Sequence, residues 1–237
     1  SIASVVFSVD GRWLASRSSD NMLHLWDVTD PSTAIIEQRN VEEDGLFSPD
    51  GHWFLADVAQ ETARIWNLTA HGIPAVDLPE VSNVGPFSPD GHWVLLQKTD
   101  NQSVQLLNMT DVDAPPKHLF YALGDEHWQF SSDSWWLAGA VGDLARIWSV
   151  TNPESYPIEI RGQYEGVTSV AFSMDGRRLA MGAGDGNIRV YTWQVQDLID
   201  LACNLAGENF SQQEWEVWFG SQPYHRTCPQ WPARASP

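Results

Sequence analysis

The stretch Phe47-Ser48-Pro49-Asp50-Gly51 recurs through the chain, and this recurrence restricts the fold more than any other feature. It first stands as Phe7-Ser8-Val9-Asp10-Gly11 and returns as Phe87-Ser88-Pro89-Asp90-Gly91. A degraded copy, Phe130-Ser131-Ser132-Asp133-Ser134, precedes the last one, Phe172-Ser173-Met174-Asp175-Gly176. Successive phenylalanines are 40, 40, 43 and 42 residues apart. A fixed period of about 40 to 45 residues is the mark of a propeller blade built from four strands.

One repeat shows how the period is filled. Ala3–Phe7 is short and apolar with β-branched Val5 and Val6, so it reads as a strand. Asp10-Gly11 turns the chain, since Asp-Gly is a strong hairpin signal. Trp13–Ser16 is the return strand, Ser18 to Asn21 the next turn, and Leu23–Trp26 an alternating third strand. Pro31 has no amide hydrogen to give a ladder and breaks the pattern before a fourth strand at Ala34–Gln38. The same template places third strands at Ala63–Trp66, Val104–Leu107, Ala145–Trp148 and Ile188–Tyr191. The expected architecture is all-β, with five visible blades near 1–40, 41–80, 81–122, 123–162 and 163–193.

The pattern F-S-x-D-G, a turn with Asp, and a strand ending in Leu25-Trp26-Asp27 resembles the WD repeat. Ile65-Trp66-Asn67 and Ile147-Trp148-Ser149 are close variants. The resemblance covers residues 1 to about 193 and implies a β-propeller that binds proteins. The family's Gly-His dipeptide is absent; Gln163 stands in the histidine's place after Arg161-Gly162. The turn aspartate is clear at Asp20 and Asp185, but Gln60 occupies its position in the second repeat. The turn-to-strand network of the family is therefore broken in most blades. Packing by Trp26, Trp66 and Trp148 is expected to carry stability instead, with Asp10, Gly11, Asp50, Gly51, Asp90, Gly91, Asp175 and Gly176 shaping the turns.

The chain starts directly on an inner strand, and the last repeat has no fourth strand before helical sequence begins at Gln194. This favours the C-terminal portion of a longer protein, whose ring has more blades or closes with a missing segment. The alternative is a five-bladed ring with an open outer edge in its last blade.

Residues 194–237 read as a helical and coil tail packed on the propeller. Val195, Leu198, Ile199, Ala202 and Leu205 recur at helical spacing, and Gly207 stops the helix. Ser211 to Glu214 is a capping box opening a second helix through Phe219. The tail, with Asp197-Leu198-Ile199, Ala202-Cys203, Glu214-Trp215 and Thr227-Cys228, resembles the closing segment of bacterial multi-domain WD-repeat proteins. Those proteins carry an effector or a nucleotide-driven switch domain of the STAND class before the propeller. The resemblance implies a C-terminal sensor or interaction module joined to other domains of its polypeptide.

The two cysteines, Cys203 and Cys228, leave two readings open: buried small apolar residues, or a disulfide tying coil to helix. They form no disulfide framework, so a reducing, cytoplasmic location is the default. Four Asn-x-Ser/Thr sequons, at Asn67, Asn101, Asn108 and Asn209, matter only in a secreted protein.

Charge narrows the partners. The formal net charge is −18, which disfavours nucleic-acid phosphates and anionic membranes. It favours a basic protein partner, or serves only to keep the chain in solution. No apolar run approaches the ~20 residues needed to span a bilayer. Catalytic signals are weak. Gly182 to Gly186 lacks the Lys-Ser/Thr of a phosphate loop, and no histidines are spaced for a metal. Glu42-Glu43-Asp44 reads as solvated surface ahead of a cation or basic-partner site. No cofactor is implied. Three functions compete: a non-catalytic sensor module of a bacterial signalling or defence protein, a passive assembly scaffold, and, remotely, a propeller hydrolase.

Overall fold

The fold follows from the alternation of side chains along short strands. A computed structural model describes residues 1–30, 34–41, 43–58, 61–70, 74–99, 103–120, 122, 127–161 and 166–232. Pro31, Glu42, Gln60, Asn101, Gly162 and Gln163, discussed above, lie outside these residues. The chain divides into two compact units: Ser1–Gly176 with Ala180–Arg189, and Arg177–Leu179 with Val190–Pro237.

Five antiparallel sheets form in chain order among the described residues. The first contains β1 (Ile2–Phe7), β2 (Trp13–Ser18), β3 (Leu23–Asp27) and β4 (Ile36–Gln38). The second contains β5 (Leu46–Phe47), β6 (Trp53–Val58), β7 (Thr62–Asn67) and β8 (Ala75–Pro79). The third holds β9 (Val81–Phe87), β10 (Trp93–Lys98), β11 (Val104–Asn108) and β12 (Lys117–Leu119). The fourth holds β13 (Trp128–Phe130), β14 (Trp136–Val141), β15 (Leu144–Ser149) and β16 (Ile158–Ile160). The fifth has three strands, β17 (Val167–Phe172), β18 (Arg178–Ala183) and β19 (Ile188–Thr192). Each strand pairs with its neighbour in sequence, as the repeat predicts. The first fourth strand is shorter than expected, beginning at Ile36 instead of Ala34.

Successive residues of a strand point to opposite faces of the sheet. Phe54, Ala56 and Trp66 therefore pack on Trp13, Ala15, Leu23 and Leu25 of the first sheet. The alternate residues Leu55, Ala63 and Ile65 pack on Val94, Leu96 and Leu107 of the third. Leu95 and Leu106 in turn meet Phe130, Leu137 and Trp148 of the fourth. The core is thus a series of thin junctions. Gly139 serves the fourth sheet, because the Trp128 ring lies where a β-carbon would project.

Burial corrects one expectation. Trp66 and Trp148 are buried, and the Trp148 indole N–H donates to the Phe120 carbonyl at 2.9 Å. Trp26 is only half-buried, with its indole N–H on Ser16 Oγ at 3.0 Å. The reason is its face: Leu14 and Trp26 share the side of the first sheet turned away from the second, where Val5 and Phe7 are exposed. Leu137 and Trp148, the equivalents in the fourth sheet, are covered by the sheet before them.

The C-terminal unit is organised around one side chain. α1 (Val195–Ala206) ends at Gly207, whose left-handed φ of +71° lets its N–H reach the Cys203 carbonyl. α2 (Gln212–Phe219) opens with the expected capping box between Ser211 and Glu214. Between them, Asn209 is 2% exposed. Its amide nitrogen donates to the carbonyls of Cys228 (3.0 Å), Trp231 (2.8 Å) and Pro232 (3.1 Å). Its oxygen accepts from the Cys228 N–H at 2.9 Å and from Thr227 Oγ1 at 3.4 Å. Cys203 and Cys228 are joined as a disulfide, with Cα atoms 5.4 Å apart. Trp215 packs on Phe219 with ring centroids 4.2 Å apart and meets Phe210 and Tyr224 edge-on.

Two outcomes follow from these contacts. Trp66→Ala opens a cavity between the first two sheets and lowers stability by about 3–5 kcal/mol, read as a fall in the thermal midpoint. Asn209→Ala removes the acceptor of the buried Cys228 N–H and the donor to three tail carbonyls, and destabilises the tail by about 1–3 kcal/mol. Hydrogen exchange checks it: amide protection at Cys228 falls in the variant while that of β10 is unchanged.

Candidate functional site

The five F-S-x-D-G copies lie in the turns joining the first and second strands of each sheet. They share one hydrogen-bond pattern. The serine hydroxyl donates to the aspartate Oδ1 at 2.5 Å in every copy: Ser8 to Asp10, Ser48 to Asp50, Ser88 to Asp90, Ser131 to Asp133 and Ser173 to Asp175. The same serine oxygen accepts the N–H that opens the return strand, from Trp13, Trp53 and Trp93 at 2.9 Å and from Trp136 at 3.0 Å. Oδ1 also accepts the N–H two residues on, from Arg12, His52, His92 and Trp135 at 3.0–3.1 Å. These serines are 0–3% exposed in the first four turns, so the turn chemistry is internal.

Adjacent turns touch. A β-carbon on Gly51 would lie 3.4 Å from the Asp10 carboxyl, and one on Gly91 would lie 3.1 Å from that of Asp50. One on Gly176 would lie 3.9 Å from Asp133. The fourth turn departs from the rule: Ser134 holds the left-handed φ (+63°) that glycine holds in the others. Its hydroxyl accepts the Asp90 N–H at 3.0 Å, a bond to the neighbouring turn that no glycine could make. The turns thus form one continuous edge carrying Asp10, Asp50, Asp90, Asp133 and Asp175.

The electrostatics of this edge are set locally. The Ser8 hydroxyl, then the Arg12 amide, holds the Asp10 carboxyl below its ordinary range. Burial alone would raise Asp90, but the Ser88 hydroxyl and the His92 amide outweigh it, and the net shift is downward. Met174 and Val9, at the variable turn position, are 89% and 77% exposed, and Trp135 is 65% exposed. Sequence reasoning passed over Trp135 and Met174. The usable signal was a slot comparison: the residue after the turn glycine is Arg12, His52, His92 and Arg177 elsewhere, and Trp135 here.

The other expected positions sit apart from this edge. Asp20 lies in the β2–β3 turn, lowered by the Ser18 hydroxyl that donates to it. Asp185 lies in the β18–β19 turn, also lowered, first by Arg189 at 2.7 Å and then by Asn187. Gly182 to Gly186 therefore belongs to a strand and its turn. Asp44 accepts from Arg17 Nε at 2.7 Å and from the Ser4 hydroxyl at 2.5 Å. At the end of β3, Asp27 accepts both the N–H and the hydroxyl of Thr29. Asn67 does the same for Thr69 and Asn108 for Thr110, so an acceptor oxygen is what this position needs. Among the sequons, Asn209 has its amide nitrogen committed to buried carbonyls. A concavity of about 640 Å³ lies in the C-terminal unit beside Ile199, Ala202, Phe210 and the Cys203–Cys228 bridge. Among the described residues no group of three or more His, Cys, Asp or Glu side chains could hold a metal ion. No helix there is long and apolar enough to cross a membrane.

The Ser134 turn generates a test. Ser134→Ala keeps the left-handed strain and loses the bond to Asp90, whereas Ser134→Gly loses the bond but releases the strain. The alanine variant is expected to be less stable than the glycine variant by about 1 kcal/mol, measured by denaturant unfolding.

The model of the family "WD domain, G-beta repeat" matches residues 1–27 and 156–192, the first and last repeats. A search of curated proteins finds no match. Among solved structures, the β-propeller domain of Cps50 (Swd1) from Myceliophteria thermophila is similar, with a TM-score of 0.55 and 17% identity. That likeness covers 83% of this chain and 67% of the other. WD-repeat propellers generally mediate protein–protein interaction and generally serve as non-catalytic scaffolds. The chain has a β-propeller fold whose first and last repeats match the WD-repeat model, and two short helices follow in sequence.

Proposed function

We propose that this chain is a non-catalytic interaction and sensor module of a bacterial signalling or defence protein, joined to other domains of the same polypeptide. It binds a protein partner through one edge of the propeller. The observation that carries this reading is the edge of stacked turns. Its aspartates are fixed by internal hydrogen bonds, while Val9, Trp135 and Met174 project into solvent. Exposed aromatic and Met side chains on a rigid frame are the composition of binding surfaces. The net charge of −18 supports a basic partner over a nucleic acid or an anionic membrane. The tail's resemblance to bacterial multi-domain proteins supports the sensor role.

The test is site-specific photo-crosslinking in cells of the source organism. A benzophenone amino acid is placed at Val9 on the turn edge, or at Ser19 in the β2–β3 turn at the other end of the first sheet. A discrete crosslinked protein from Val9 and none from Ser19 is expected. Absence of any discrete adduct from Val9 overturns the reading.

A further inference from the structure

Four of the five turns place a basic side chain directly after the turn glycine, and each meets a carboxylate. Arg12 reaches Asp27 Oδ2 at 3.2 Å, and Arg177 pairs with Asp197. His52 Nδ1 lies 3.2 Å from Asp50 Oδ2, and His92 Nδ1 lies 3.2 Å from Asp90 Oδ2. The two histidine turns show that a side chain in this slot reaches the free oxygen of its own turn aspartate. The fourth turn keeps the same backbone bonds but puts Trp135 in the slot. Asp133 Oδ1 is used by the Ser131 hydroxyl and the Trp135 N–H; among the described residues no side chain donates to Oδ2. That oxygen faces the fifth turn, which is tied on by the Ser132 hydroxyl donating to the Met174 carbonyl at 2.7 Å. Trp135 and Met174, the most exposed large side chains of this edge apart from Val9, stand on the two turns that meet at this carboxylate.

We propose that the Asp133–Trp135 turn is a docking point for an arginine side chain of a protein partner. The guanidinium takes the place that His52 and His92 fill in the second and third turns. It pairs with Asp133 Oδ2 and lies against the Trp135 ring, with its methylenes on Met174. The chemistry suits arginine: a planar, weakly hydrated cation stacks on an indole and forks onto a carboxylate, which an ammonium does less well. The chain already makes such contacts internally, with the Arg12 guanidinium 4.9 Å from the Trp13 ring centroid and Lys117 Nζ 5.1 Å from that of Trp93. The excess negative charge of the chain draws the same kind of partner. The docking point rests on the interaction reading above and adds the chemistry of the group recognised.

The probe is a blocked Gly-Arg-Gly tripeptide, titrated at low salt while the indole N–H resonances are followed by NMR. The Trp135 signal is assigned from Trp135→Phe. Saturable shifts at Trp135 in the millimolar range are expected, and they weaken as salt rises. The citrulline tripeptide, which lacks the charge, leaves the signal in place. Asp133→Asn keeps the internal acceptor and weakens binding about fivefold to tenfold. Equal shifts with citrulline, or arginine binding undiminished in Asp133→Asn, overturns the docking point. A crosslink from Val9 with no arginine response at Trp135 would sink this site while leaving the interaction reading intact.

Discussion

A serine hydroxyl in each inner turn, buried in the first four, sets the frame of the propeller unit. It donates to the turn aspartate and accepts the N–H that opens the return strand, so one oxygen fixes both the bend and the strand that follows. The aspartate is then held with one face to the serine and the other against the next turn. Because every copy repeats this, the second strands start in equivalent places and their alternating faces meet in register. The junctions between Phe54 and Trp13, or Leu137 and Leu95, depend on that alignment as much as on their apolar character.

The repeat made most of the fold legible. The period, the Asp-Gly turns and the third strands fall where the sequence puts them, and so do the missing fourth strand and the capping box. These are local signals, written within a few residues of where they act. What escaped was relational. Trp26 looks like Trp66 in sequence and differs in burial because its face of the first sheet is not covered as theirs is. Asn209 looks like a sequon, and its role depends on carbonyls about twenty residues downstream folding back onto it. Trp135 looks like one more aromatic next to Trp136, and only comparison of the five turns shows that it replaces a base.

The fourth turn carries two departures of different kinds. Ser134 accepts an unfavourable backbone angle and gains a bond to the third turn, which repairs the stack from within. Trp135 repairs nothing; it withholds the side-chain partner that His52 and His92 give their turn aspartates and exposes a ring. A propeller of near-identical blades has no address on its edge until one blade differs, and this blade does so where the backbone is most tightly held.

The thin junctions also decide how the unit comes apart. Among the described residues the apolar junctions join sheets that are neighbours in sequence, so the stability of the propeller unit is approximately a sum of sheets and nearest-neighbour contacts. The third sheet packs on the second through one face and on the fourth through the other, so it must give up two junctions to open. Amide exchange would show this as late opening of the strands that carry Leu95 and Leu106.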